Sequence, residues 1–367
     1  MFKDIKIRNF RCFDQLDVSN FGKINLISGK NNVGKTAFLE ALFLNSSPRP
    51  DAISLLRQVR REQTSFSRAL PERTWNNFFF QQNKSNVILI EAVLENSTSK
   101  VIEIFVDESV KDLEDIHEPD NEDEERDKII NLFSGSESTV SVLHIKTRID
   151  HGEVFETLMI SSAKGLIGRD IKVPDTENAS FIPSFLRISG RDLTREFDKA
   201  RLNERDHEVL EAFKTIDSSI TDVESFSIGE PTVYLRREDK SRLPLSLFGD
   251  AINRIADIIL KLVNNENSIL LIDEIENGIH HSNQVYFWSI LYKLANELNV
   301  QIFATTHSLE MTQAFVKAGL NYGNLAAHFE LTKQAKTGRI VAIRRDLDTL
   351  EYGISHNKEV RGGQYGQ

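Results

Sequence analysis

Eight residues near the N-terminus, Gly29-Lys30-Asn31-Asn32-Val33-Gly34-Lys35-Thr36, leave little freedom for the fold around them. They satisfy the pattern G-x-x-x-x-G-K-[ST] at every fixed position, and that pattern works only between a buried strand and a helix. Both are present. Lys23-Ile24-Asn25-Leu26-Ile27-Ser28 reads as a strand ending directly at Gly29. Lys35-Thr36-Ala37-Phe38-Leu39-Glu40-Ala41-Leu42-Phe43-Leu44 reads as a buried helix, stopped by Ser46-Ser47-Pro48-Arg49-Pro50. Glycines let the backbone curl until successive N–H groups point inward at phosphate oxygens. The positive N-terminal end of the helix adds to the attraction. Lys35 supplies a point charge for the outer phosphates, and the Thr36 hydroxyl is a ligand for Mg²⁺. The candidate nucleotide-binding residues are therefore Gly29, Asn31, Asn32, Val33, Gly34, Lys35, Thr36 and Ala37.

Three further segments supply what such a cradle lacks. Ile269-Leu270-Leu271-Ile272 is an apolar strand that delivers Asp273 and Glu274 at its C-terminal end, where open α/β sheets bind ligands. Asp273 joins Thr36 as a candidate metal ligand, and Glu274 can accept the proton of an attacking water. Gln301-Ile302-Phe303-Ala304-Thr305 is another strand, followed by Thr306-His307-Ser308, which places His307 where it can contact a terminal phosphate. Lys35, Glu274 and His307 are the candidate catalytic residues. Finally, Leu243-Pro244-Leu245-Ser246-Leu247-Phe248-Gly249-Asp250 leads into a helix over Asp250–Val263. It offers Ser246 and Gly249 at a helix start, a place that suits an anion and equally suits a plain cap.

The pattern divides the chain into an N-terminal lobe with the loop (1–96), an inserted β and acidic segment (97–180), a helical region (181–242) and a C-terminal lobe (243–367). Residues 51–85, rich in arginine and holding Trp75, Phe78, Phe79 and Phe80, read as helical. Strands are expected at 87–94, 101–106 and 140–149. The acidic stretch 107–127 reads as a solvated surface segment. Residues 190–216 read as amphipathic helix without sustained heptads. The fold class expected is α/β: a mostly parallel sheet flanked by helices, an N-terminal antiparallel β subdomain and a helical, acidic insertion.

Bulk properties exclude several classes. No apolar run approaches the ~20 residues that span a bilayer, and with a strand-like pattern beginning at Phe2 no secretory leader is expected. The single cysteine, Cys12, rules out an intrachain disulfide and a cysteine-based zinc cluster. A cytoplasmic location is expected. The net charge of −10 does not point to nucleic acid, whose binders draw affinity from a basic face. A guanine-specific reading would use Asn83-Lys84-Ser85-Asn86. That run ends in Asn where Asp is needed, and it precedes a strand instead of following one.

Together these segments resemble the RecF/OLD-like branch of ABC ATPases, most closely the AAA-15 group. The resemblance rests on Ile7-Arg8-Asn9-Phe10-Arg11, the loop at 29–36, and Pro244-Leu245-Ser246-Leu247-Phe248-Gly249-Asp250. It continues through Leu271-Ile272-Asp273-Glu274-Ile275-Glu276-Asn277-Gly278-Ile279-His280, Thr305-Thr306-His307-Ser308 and Glu359-Val360-Arg361-Gly362. It implies ATP and Mg²⁺ as ligands and an ABC-type head that dimerises, alone or as an oligomer of dimers, around two sandwiched nucleotides. Ser246 and Gly249 would then complete the site of the other copy, with Asn277, Gly278 and His280 at the seam. The family's Leu-Ser-Gly-Gly-Gln signature is altered here by Leu247 and Phe248. Its Q-loop glutamine has no clear counterpart, since Gln81 and Gln82 precede a strand. Only about 60 residues follow His307, too few for a nuclease domain of ~100 residues. The resemblance thus implies a sensor subunit governing a separate nuclease or toxin, as in PARIS-type anti-phage systems. The alternative is a RecF- or SMC-like ATPase that clamps or repairs DNA.

Overall fold

The computed structural model describes residues 1–107, 140–170, 178–185, 188–214 and 217–356. The acidic stretch beyond Asp107 and the terminal Glu359-Val360-Arg361-Gly362 lie outside the described residues. In chain order the strands are β1 (Phe2–Phe10), β2 (Phe13–Ser19), β3 (Ile24–Gly29), β4 (Ile88–Leu94), β5 (Ser99–Asp107), β6 (Ser141–Ile149), β7 (Val154–Ser162) and β8 (Gly165–Asp170). They continue with β9 (Ala179–Ile182), β10 (Ile220–Phe226), β11 (Thr232–Arg237), β12 (Arg242–Pro244), β13 (Ile269–Ile272), β14 (Gln301–Thr306), β15 (Ala326–Lys333) and β16 (Ile340–Arg345). The helices are α1 (Lys35–Ser46), α2 (Pro50–Val59), α3 (Thr64–Ala69), α4 (Gly190–Leu202), α5 (Asp206–Lys214), α6 (Asp250–Val263), α7 (His281–Glu297), α8 (Leu309–Gly319) and α9 (Leu347–Ser355). Two compact units result: Met1, 18–39 and 177–367 form one, and 2–17 with 40–176 the other.

The first unit is built on a six-stranded sheet of order β16-β15-β3-β14-β13-β9. Neighbours from β15 to β9 run parallel, and β16 closes the edge antiparallel to β15. Strands β3, β13 and β14 are buried along their whole length; β13 is apolar throughout, while β3 and β14 also bury Asn25, Ser28, Gln301, Thr305 and Thr306. One face, through Ile24, Leu26, Ile302 and Ala304, shares a core with α6, α7 and α8. Helix α6 shows the cause: Ile252, Ile255, Ala256, Ile259 and Val263 recur at helical spacing and are buried. The other face carries Phe303 and Phe329, whose rings pack edge-on against Phe21, with Phe38 of α1 beside it. An antiparallel sheet β10-β11-β12 with α4 and α5 completes the unit. The helical expectation for 181–242 is corrected here. Helices occupy Gly190–Leu202 and Asp206–Lys214, but 220–244 is mainly strand, because Ile220, Val223, Val233 and Leu235 turn β-branched and apolar side chains to one core.

The second unit is an antiparallel seven-stranded sheet of order β2-β1-β4-β5-β6-β7-β8. Alternating burial along β1 and β4 gives it one packed face. Residues 51–85, expected as helix throughout, hold only α2 and α3 before breaking into three single-turn 3₁₀ segments. Trp75, Phe78 and Phe79 are buried there, so tertiary packing overrides local helix propensity. The arginines of this stretch are structural too. Fully buried Glu40 accepts from Arg60 at 2.6 Å and, from outside the stretch, Arg11 at 2.8 Å, while Arg57 holds Glu62 at 2.8 Å. No helix among the described residues is long and apolar enough to cross a membrane.

Candidate functional site

The loop at 29–36 leaves the C-terminal end of β3 and enters α1. Gly29 sits at φ 153°, and a Cβ there would stand 2.6 Å from the Leu331 carbonyl and 2.8 Å from the Val33 side chain. Only glycine fits. Asn32 and Gly34 also have positive φ, which curls the loop, and Asn31 and Asn32 are exposed while Val33 and Ala37 are buried. The Lys35 ammonium folds back onto the loop, donating to the carbonyls of Gly29 at 2.8 Å and Lys30 at 3.0 Å. Burial pushes this ammonium below its ordinary range, and the carboxylates of Glu276, Asp273 and Glu274 oppose that shift.

Strand β14 lies between β3 and β13, yet their ends converge. The Thr36 hydroxyl is 3.1 and 3.0 Å from the two carboxylate oxygens of Asp273. Two hard oxygen donors on facing elements fit a magnesium ion. Three carboxylates around one lysine also leave an excess of negative charge that a divalent cation would offset before a triphosphate approached. Glu274 adopts φ 50°, and its Oε2 accepts from Asn277 Nδ2 at 3.0 Å. Thus Lys35, Thr36, Asp273 and Glu274 are gathered at one end of the sheet. His307, at the end of β14, bonds Glu276.

Ser246 and Gly249 stand apart. Among the described residues neither bonds to the loop. Leu245 is buried, and Phe248 lies beneath the Arg237 guanidinium, 5.0 Å from its ring centroid, while Arg237 is itself held by Asp217 at 2.7 Å. Phe248 is therefore a packing residue, and the segment presents Ser246 and Leu247 outward. Gly249 caps α6 at φ 79°. His280 caps α7, its Nδ1 accepting from the Ser282 amide, and Gly278 and His280 are exposed.

Three residues absent from the candidate list hold the site together. The buried Thr305 hydroxyl donates to Asp273 Oδ1 at 2.7 Å and accepts from the Glu274 amide at 2.8 Å, using both capacities of one oxygen. Arg254 of α6 donates to the backbone carbonyls of Asp273 at 2.6 Å and Pro183 at 2.5 Å. Its signal was visible as a lone cation on the apolar helix 252–260. Glu276 accepts from the His307 amide at 2.7 Å and lies 2.8 Å from its Nδ1.

Known proteins bear likeness to this chain at three levels. An ATP/GTP phosphatase of Helicobacter pylori (strain ATCC 700392 / 26695) is 24% identical over 329 residues, covering 85% of this chain and 87% of that protein. An uncharacterized protein of Methanocaldococcus jannaschii is 36% identical over 84 residues, 23% of this chain and 38% of that one. A crystal structure of an SMC head bound to the C-winged helix domain of ScpA aligns over 96% of this chain and 99% of that chain, with a TM-score of 0.48 and 10% identity. The profile of the family described as "AAA domain, putative AbiEii toxin, Type IV TA system" matches residues 24–311. That match takes in the loop, the strand carrying Asp273 and the turn at His307, and it spans well over half of the chain, which therefore belongs to this family of P-loop NTPases.

Proposed function

We propose that the protein is a magnesium-dependent ATP hydrolase that dimerises around its nucleotides and governs a separate effector in anti-phage defence. The observation that carries the hydrolase reading is the approach of Thr36 to Asp273 at 3.0–3.1 Å beside Lys35 and Glu274. Thr36 and Asp273 would hold magnesium, which when bound neutralises charge on the outer phosphates. Lys35 leaves the loop carbonyls to donate to those phosphates. Glu274 orients a water and takes its proton as the oxygen attacks the γ-phosphorus and the bond to the β-phosphate oxygen breaks, releasing ADP and phosphate. The relative named for both ATP and GTP supports NTP hydrolysis. ATP is favoured because the would-be guanine motif ends in Asn86.

The defence role rests on kinship with a family described as a putative toxin of a type IV toxin–antitoxin system, together with the resemblance to sensor subunits of anti-phage assemblies. A pull-down with the products of adjacent genes tests it: a co-purifying nuclease or toxin supports the role, and co-purification of DNA alone counts against it. For the hydrolase, Lys35→Ala should weaken Mg-ATP binding by roughly 100-fold, since several charge-assisted bonds disappear. Isothermal titration and phosphate release measure this. Unchanged turnover in the variant would remove the cradle from consideration.

A further inference from the structure

Glu276 stands three residues beyond the metal-side carboxylate, in the turn between β13 and α7. Its Oε1 accepts a hydrogen bond from the His307 amide at 2.7 Å and stands 2.8 Å from the same residue's ring Nδ1. Its Oε2 is buried without a hydrogen-bond partner among the described residues. Only 9% of the Glu276 side chain is exposed, against 49% for His307. Of the carboxylates around Lys35, Glu276 acts on its ammonium most strongly. A carboxylate only accepts, so a hydrogen shared across this 2.8 Å contact would be carried by Nδ1. The His307 ring is thereby fixed from one side, and no described protein group bonds Nε2, the nitrogen on its other edge.

We propose that Glu276 is a positioning residue that grips His307 by Nδ1 so that Nε2 donates to the terminal phosphate. The inference rests on the hydrolase reading above. Phosphate oxygens accept and do not donate, so a bond from Nε2 requires a ring carrying hydrogen on both nitrogens. In that state Glu276 stands where the counter-charge is needed. Carboxylate–imidazole pairs of this kind orient the ring and set which nitrogen faces the ligand. Anchoring the His307 backbone is a different role, and Glu276→Gln separates the two. Its amide oxygen can keep the bond from the His307 amide and still face Nδ1, but it brings no charge.

The test is a double-mutant cycle on the full chain. The kcat and KM for Mg-ATP hydrolysis are measured for the wild type, Glu276→Gln, His307→Ala and the double variant, with a thermal unfolding midpoint for each. Each single variant should lose about tenfold or more in kcat, the scale found when a supporting carboxylate is removed, while KM stays within about threefold. The double variant should be no slower than the slower single. Losses that multiply, or wild-type kcat in Glu276→Gln, overturn the proposal. Should Glu276→Gln unfold, Glu276→Asp, which keeps the charge but withdraws the oxygen, takes its place in the same cycle. A wild-type protein without ATP turnover strikes the hydrolase reading instead.

Discussion

Glu274 occupies a backbone conformation that a side chain with a Cβ enters at a cost of roughly 1–2 kcal/mol. Three contacts hold it there: its amide donates to Thr305 Oγ1, its carbonyl accepts from the Asn277 amide at 3.0 Å, and its Oε2 accepts from Asn277 Nδ2. Strain of this kind persists at sites where chemistry requires a particular aim. Replacing Glu274 by glycine should therefore relieve it, whereas alanine should not. We expect Glu274→Gly to be more stable than Glu274→Ala by about 1 kcal/mol in urea unfolding, the reverse of the usual order inside regular elements. Both should be inactive. An alanine variant as stable as the glycine variant would show that the turn stores no strain. Thr305 explains why the sequence alone pointed to Asp273 and Glu274 but not to their support. A threonine in a strand reads as a β-former, and only the third dimension turns its hydroxyl toward a carboxylate two elements away.

At the scale of elements, β3 and β15 carry a buried polar pair directly behind the phosphate loop. Ser28 Oγ lies 2.9 Å from His328 Nε2, and Glu330 on the same strand face is bound by Arg345 at 2.8 Å. Burial, with the nearby Arg345 charge adding to it, pushes His328 down to about 3. A folded-state pKa below the unfolded value of about 6.5 means the unfolded chain binds the extra proton first. The stability this neutral ring contributes is complete above pH 6.5 and is lost as pH falls from there toward 3. Between pH 7.5 and 5 the loss from this one group should reach roughly 2 kcal/mol. His328→Asn should show a shallower decline over that window whatever its absolute stability, and equal slopes in the two proteins would refute the assignment. Elements differ in how far the sequence exposes them. The buried strands β3, β13 and β14 were legible because each runs unbroken into a residue with chemical work. Strands β10 and β11 were not, since short β-branched runs between charges fit helix or strand until their partners are known, and β15, with two alanines and a leucine, carries no strand-specific signal of its own. The aromatic-rich stretch after α3 misled for a related reason: Trp75 and Phe78 are buried beneath the guanidinium groups of Arg57 and Arg11, which come from outside it, a packing that no local periodicity announces.

For the whole molecule, the question is what completes the site. Ser246 and Leu247 face outward from the start of α6, with Leu247 69% exposed. A single exposed leucine is ordinary on a monomer. Here it lies on the segment whose resemblance implies contact with a second copy. Arg254 links that same helix to the Asp273 carbonyl, so the outward segment and the metal-side carboxylate belong to one connected piece. If two copies close over nucleotide, slowing hydrolysis should trap them. Glu274→Gln with Mg-ATP should double in mass by light scattering, and without nucleotide it should not. Adding Leu247→Glu places a carboxylate where the opposed triphosphate would lie, a like-charge contact costing several kcal/mol. The combined variant should stay monomeric and still bind Mg-ATP, because the cradle at 29–36 belongs to the same copy, but more weakly than its dimerising parent, since dimerisation and nucleotide binding are linked. Monomers of Glu274→Gln under saturating nucleotide would rule out the sandwich. Dimers that survive Leu247→Glu would move the seam away from α6.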